Sequence, residues 1–123
     1  MLIALSAMHG RHEVSRAWCE HTASLGFKDV FVCVSEDDQE SFDVCQSHGF
    51  TICWRPNNPL ADKFNGALAY AFNMTNAARF MVLPSDDFVS QAWVDTMRAS
   101  DEPYCIPHTC AILDAYTQNA YRI

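Results

Sequence analysis

Basic residues are scarce in this chain, and their scarcity excludes one broad class of function. Eight Lys and Arg oppose fifteen Asp and Glu over 123 residues, which gives a formal net charge of −7. That balance argues against a protein that grips nucleic acid along a basic face. A nucleotide ligand is still compatible with it, because a metal ion or a few well-placed basic side chains neutralise a diphosphate locally.

The sequence also lacks the common motifs for phosphate binding and for hydrolysis. It contains four Gly, and it has neither a Walker A loop nor a Gly-x-Gly-x-x-Gly turn. It has no Gly-x-Ser-x-Gly turn of a serine hydrolase. The five His residues are scattered and do not show the spacing of a zinc metalloprotease. The usual phosphate-loop, dinucleotide, hydrolase and metalloprotease interpretations are therefore removed.

Neither the cysteine spacing nor the apolar runs of the chain predict a zinc site, a redox motif or a membrane span. None of the six Cys residues shows the two-residue spacing of a zinc knuckle or a redox motif. We interpret them as reduced residues of a cytoplasmic protein. No apolar run approaches the length of a membrane span. The apolar start at 1–8 lacks a positive leader, so we interpret it as a buried strand and not as a signal peptide.

What the chain does contain is a regular alternation of short apolar runs and amphipathic stretches, in a length that suits one domain over 1–123. Helices are predicted at 13–25, 39–48, 60–74 and 91–99, with Asp38 and Ser90 capping the second and fourth. Strands are predicted at 2–8, 30–34, 50–54, 79–83 and, whole or interrupted by Pro107, at 104–113. This order predicts an α/β three-layer sandwich with a mostly parallel sheet.

Ligands of such sheets bind beyond the carboxyl ends of the strands, and the sharpest polar cluster of this chain lies at one of those ends. It is Ser85-Asp86-Asp87, directly after the fourth strand. Adjacent carboxylates repel each other unless a cation is present. Mg²⁺ or Mn²⁺ would remove that cost and bridge the diphosphate of a nucleotide. The alternative is a turn in which Asp87 or Ser90 only caps the next helix.

Other strand ends supply further candidates for ligand contacts. Lys63 and Asn65 lie in the first turns of the third helix, whose N-terminus attracts phosphate. A plain solvated helix face is the alternative for them. Ser35-Glu36-Asp37-Asp38 follows the second strand and would accept hydrogen bonds from a base or a ribose, or would only cap a helix. Arg11, after the first strand, would contact a donor phosphate.

Four segments together resemble the family 2-like glycosyltransferases of the GT-A fold, especially the short versions of bacteriophages and bacteria. The resemblance runs from the first strand to the helix that follows Ser90, and Ser85 stands where the first acid of the family's Asp-x-Asp motif would be. The matching segments are the loop Met8-His9-Gly10-Arg11, the strand 30–34 with the acids at 35–38, the block 58–65 and the block 83–90.

The resemblance implies a catalytic and metal-binding role for the acidic pair. Asp87 would be the main ligand of Mn²⁺ or Mg²⁺, and Asp86 would contact the donor ribose or sugar and share the metal site. Family members usually continue further, where they supply acceptor contacts and a general base. The chain resembles a version truncated at the C-terminus, which leaves Asp114 as the candidate base.

The resemblance also implies a set of contacts with the nucleotide-sugar donor. Glu36 or Asp37 would lie near the base. Lys63 and Asn65 would approach the phosphates or the sugar, and Arg11 would contact a phosphate.

These expectations converge on a metal-dependent glycosyltransferase that moves a sugar from a nucleoside-diphosphate sugar to an unknown hydroxyl acceptor. A glycan or a modified nucleobase would suit a phage protein acting in the host cytoplasm. The alternative is a non-catalytic remnant of the GT-A fold that binds a nucleotide or another protein. A sheet this small would also leave an exposed edge, which a homodimer would cover.

Overall fold

The computed structural model of the chain describes residues 2–57, 59–76, 79–102, 111–114 and 119–122, the last two ranges as backbone only. The strands are β1 (Leu2–Met8), β2 (Asp29–Val34), β3 (Thr51–Trp54), β4 (Arg79–Val82), β5 (Ala111–Asp114) and β6 (Asn119–Arg122). The helices are α1 (His12–Ala23), α2 (Gln39–Ser47), α3 (Leu60–Met74) and α4 (Gln91–Ala99).

The first four strands form one parallel sheet in the order β3-β2-β1-β4. Met8 pairs with Val34 at the carboxyl end of β1 and β2, and Leu5 pairs with Val82 at the end of β4. Every residue of β1 is buried, because helices cover the central strands on both faces, as parallel sheets require. β5 and β6 form a separate antiparallel pair.

Side chains alternate across β1 and divide the core into two layers. Ala4 packs with Trp18 of α1 and Cys45 of α2 on one face. Ile3 packs with Ala67 of α3 on the other face. The α4 helix joins the first face through a cluster of buried side chains: Leu2, Leu25, Val94 and Met97. The α/β architecture with a parallel sheet between helices, predicted from the alternation of elements, is confirmed.

Both predicted helix caps are present, but the C-terminal strand prediction needs correction. Asp38 accepts a hydrogen bond from the Ser41 amide, and Ser90 accepts one from the Trp93 amide. The fifth strand, predicted at 104–113, lies partly outside the described residues, and its described part is β5, paired with an unpredicted β6. None of the helices in the described ranges is long and apolar enough to cross a membrane.

Helical spacing of the sequence predicts one apolar face of α3, with Leu60, Phe64, Ala67, Leu68, Ala71 and Phe72 on it, but the helix packs through the small residues of that face. Ala67 is fully buried, whereas Phe72 is 70% exposed and Leu60 is 55% exposed. At Gly66 of the same helix an added Cβ would lie 3.2 Å from Cγ of Arg55, so the Arg55 side chain packs directly against this glycine. Small side chains let the helix lie close to its neighbours, which turns the bulky stripe outward.

Candidate functional site

The strand order reverses at β1, and this reversal places a cleft at the carboxyl ends of β1 and β4. The chain moves outward through β2 and β3 with α1 and α2 on one face, and α3 then carries it back across the other face to β4. Open parallel sheets bind ligands at such a switch point. The cleft has a volume of about 380 Å³, and the described residues that line it are Ala7, Met8, His9, Arg11, Asn57, Leu60, Lys63, Phe64, Pro84, Ser85 and Asp86.

Arg11 and Asp86 pair with each other at this cleft and join the loop after β1 to the loop after β4. Nη1 of Arg11 donates to Oδ2 of Asp86 at 3.0 Å. The two side chains are 59% and 46% exposed, and such an exposed pair stabilises a fold by no more than about 1 kcal/mol. Both groups can therefore exchange partners when a charged ligand enters. The backbone of Arg11 has φ 48°, a conformation that non-glycine residues seldom adopt and that occurs often at functional sites.

The acidic pair lies on a turn that the fold holds in place. The Asp87 amide donates to the Pro84 carbonyl oxygen at 3.0 Å, and the Trp18 indole donates to the Asp87 carbonyl oxygen at 3.1 Å. Ser90, and not Asp87, is the N-cap of α4, so the alternative that this turn caps the next helix is confirmed for Ser90. Burial, together with the neighbouring charge of Asp86, raises the pKa of Asp87.

A divalent cation fits this pair only if a bound ligand supplies further oxygen atoms. Among the residues that the structure describes, no group of three or more His, Cys, Asp or Glu side chains is gathered for a metal ion. Asp86 lines the cleft, whereas Asp87 does not belong to its described lining. Mg²⁺ is commonly held by one or two carboxylates together with substrate phosphates. The donor set therefore suits a cation that arrives with a diphosphate, because two adjacent carboxylates repel each other until a cation is shared.

Asp38 organises the loop after β1, a role that its sequence position as a helix cap did not reveal. The buried carboxylate accepts hydrogen bonds from the Gly10 amide at 2.8 Å, from His12 Nε2 at 3.0 Å, and from the amide and hydroxyl of Ser41. Burial alone would raise the pKa of Asp38, but the hydrogen bonds from Ser41, Gly10 and His12 outweigh it and hold that pKa well below its usual range. A charged carboxylate thus anchors the loop that carries Arg11.

Glu36 and Asp37, the acids predicted to lie near a base, are exposed, and neither belongs to the described cleft lining. Asp37 lies 3.6 Å from Nε2 of His9, and His9 does line the cleft. The structure therefore connects this acidic segment to the site through His9, which no motif of the sequence marks as a site residue.

Lys63 lines the cleft and its side chain is completely buried, so the alternative that placed it on a solvated helix face is wrong. Its Nζ donates to the Met8 carbonyl oxygen at 2.7 Å, to Ser35 Oγ at 3.0 Å and to Asn57 Oδ1 at 3.2 Å. These oxygens follow or end three different strands, so one ammonium ties β1, β2 and β3 together at the site. Burial lowers the pKa of Lys63, an effect that the negative charges of Asp38 and Asp37 oppose.

Two further candidate residues do not belong to the described lining of the cleft. Asn65 is exposed on α3, and the described cleft lining does not include it. Asp114 ends β5, and its side chain lies outside what the structure describes. Asn57 was not selected from the sequence, although it follows β3 at the same edge of the sheet as the residues that were. The rule about strand ends therefore contained the signal that would have found it.

Comparison with known proteins adds no assignment to this geometry. No protein-family model matches the chain, and no curated protein is significantly similar to it.

Proposed function

We propose that this protein binds a nucleoside-diphosphate sugar in the cleft between β1 and β4 and transfers the sugar to a hydroxyl acceptor. The observation that carries the proposal is the cleft's position at the switch point, with Arg11 on one loop and Asp86 on the other. Nucleotides bind at this position in parallel sheets flanked by helices. A guanidinium is a strong ligand for phosphate oxygens, and a carboxylate accepts hydrogen bonds from the hydroxyls of a ribose or a sugar.

The exposed side chains of Arg11 and Asp86, which form the rim of the cleft, can exchange partners easily. This property suits a donor with a charged leaving group. Arg11 would leave Asp86 for a phosphate oxygen, because the exposed pair is weak. Asp86 and Asp87 would then be free to hold Mn²⁺ or Mg²⁺ jointly with the diphosphate. The cation would neutralise the charge that develops on the leaving group. We assign the base for the acceptor hydroxyl to Asp114, and the acceptor to a glycan or a modified nucleobase.

A ligand-binding screen tests the donor site directly. The protein is titrated with UDP-, GDP-, CMP- and dTDP-sugars, each with and without Mn²⁺, and its thermal unfolding midpoint is recorded. We expect one nucleotide to raise the midpoint in a metal-dependent way. Asp86→Asn and Asp87→Asn should remove the effect, whereas Glu20→Gln, which neutralises an exposed acid of α1 outside the described cleft lining, should preserve it. A flat response to every nucleotide would overturn the proposal.

A second candidate function, a non-catalytic role in binding another protein, rests on the outward-facing apolar surface. Phe72 is 70% exposed, and Met74 and Val82 are each 62% exposed. Exposed apolar patches often mark an interface, whereas single exposed apolar residues are ordinary, so this candidate rests on the exposure of these three side chains alone. Light scattering across a range of concentrations would test the simplest version, a homodimer. A measured mass equal to that of the monomer at every concentration would exclude the homodimer.

A further inference from the structure

The ammonium of Lys63 is an unusual feature, because a buried charge normally has a charged partner. Its side chain is 0% exposed, and the ion pairs of the described residues do not include it. All three of its hydrogen-bond acceptors are neutral: a carbonyl oxygen, a hydroxyl and an amide oxygen. A buried charge without a counter-charge is costly to a fold. Lys63 is therefore a buried positive charge at the edge of the cleft with no carboxylate in direct contact among the described residues, and the charges of Asp38 and Asp37 act on it only without direct contact.

The three acceptors differ in how firmly they are placed. The Met8 carbonyl oxygen belongs to a central strand, and Ser35 is buried next to the end of β2. Asn57, by contrast, is exposed, lines the cleft, and accepts the longest of the three bonds at 3.2 Å. Its side chain is therefore the easiest to displace from the ammonium. An amide oxygen and a phosphate oxygen accept the same N–H, but the phosphate also supplies the missing negative charge.

We propose that the buried ammonium of Lys63 is the anion-recognition centre of the cleft, and that Asn57 Oδ1 occupies the place that a ligand's phosphate oxygen takes. This deepens the proposed function and rests on it for the identity of the ligand as a nucleoside diphosphate. The chemistry recognised at Lys63 is the phosphate group itself. Inorganic pyrophosphate therefore carries the recognised group without base or sugar, which lets the two proposals be tested separately.

The decisive variant is Asn57→Asp, which places a carboxylate beside the ammonium without changing the side-chain shape. The proposal predicts two opposite effects. The thermal midpoint of the free protein rises, because the buried charge gains a counter-charge. The affinity for pyrophosphate falls about ten- to hundredfold, the change that corresponds to losing one charge-assisted hydrogen bond. Asn57→Ala is the matched control, since it removes the amide oxygen and keeps the charge, and its affinity should equal or exceed that of the wild type.

The binding measurement is isothermal titration of the full chain with pyrophosphate and, separately, with the nucleoside diphosphates. Equal pyrophosphate affinity of wild type and Asn57→Asp would overturn the role of Lys63. The role would also be overturned if Asn57→Ala lost as much affinity as Asn57→Asp, because Asn57 itself would then be the ligand contact. Wild-type binding of pyrophosphate without any nucleotide would support the anion centre and overturn the nucleotide-sugar proposal. Wild-type binding of a nucleotide that Asn57→Asp leaves unchanged would do the reverse. Wild type that binds neither would overturn both.

Discussion

Replacement of Asp38 by Ala tests whether this single carboxylate holds together the end of β2 and the loop after β1. The carboxylate accepts bonds from the Gly10 amide, from His12 and from Ser41, and it caps α2. We expect Asp38→Ala to destabilise the fold far more than Asp37→Ala. Asp37→Ala is a well-matched control, because the two acids are adjacent in sequence but the Asp37 side chain is 78% exposed.

The expected magnitude follows from the contacts that are lost. Removing an Asp cap from a helix costs about 1 kcal/mol. Leaving the half-buried Gly10 amide without its acceptor costs a further ~1–3 kcal/mol. Together these give about 2–4 kcal/mol, which in a domain of this size lowers the thermal midpoint by about 10 °C. Asp37→Ala removes only an exposed contact with His9 and should change the free energy of unfolding by about 0.5 kcal/mol or less.

Urea denaturation followed by circular dichroism measures both variants, and acid titration adds an independent check. Because hydrogen bonds lower the folded-state pKa of Asp38, its stabilisation is fully present above the unfolded pKa of about 3.9 and is lost as the pH falls through the folded value. The stability difference between wild type and Asp38→Asn should therefore stay constant at neutral pH and shrink below about pH 4. Equal destabilisation by Asp38→Ala and Asp37→Ala would refute the reasoning.

Three other changes have clear expected outcomes. Arg11→Ala should change the free energy of unfolding by less than about 1 kcal/mol, because its ion pair is exposed, yet it should weaken nucleotide affinity in a titration; an unchanged affinity would count against a phosphate contact. Ser90→Ala should cost about 1 kcal/mol in urea denaturation through the lost cap of α4, and no change would mean that the cap is unimportant. Cys53 is half-buried, and the hydrogen bond from Cys33 lowers its pKa, whereas the neighbouring thiol and burial raise the pKa of Cys45. Iodoacetamide should therefore alkylate Cys53 before Cys45, and mass spectrometry of partly labelled protein would contradict this if it showed the reverse order.

The elements that the sequence predicted well depend on local patterns. The apolar run 30–34 predicts a buried strand by composition alone, and Asp38 and Ser90 are recognisable caps because capping involves residues three positions apart. The outward orientation of the bulky stripe on α3 could not be predicted in the same way. It depends on the packing of Ala67 and Ala71 against residues of β1 and β2, a contact that joins elements distant in the sequence.

The candidate site shows the same division between local and long-range information. Asp86 was found because the rule about strand ends needs only the order of elements. The burial of Lys63 could not be predicted locally, since its acceptors at Met8 and Ser35 lie 55 and 28 positions earlier in the chain. The hydrogen bond from the Gly10 amide likewise spans 28 positions, and no local pattern predicts a contact at that separation.

The contacts around the β1–α1 loop divide into fixed and exchangeable ones, and this division suits ligand binding. The buried Lys63 donates a hydrogen bond to the Met8 carbonyl oxygen at the end of β1, and the buried Asp38 accepts one from the Gly10 amide at the start of the loop. Arg11 and Asp86 meet where both are exposed. Buried, charge-assisted bonds keep the position of the loop, whereas an exposed pair yields to a competing charge at little cost. The cleft therefore combines a preorganised floor with a replaceable rim, so a ligand would pay little to order the loop and would gain its contacts by exchanging one ion pair.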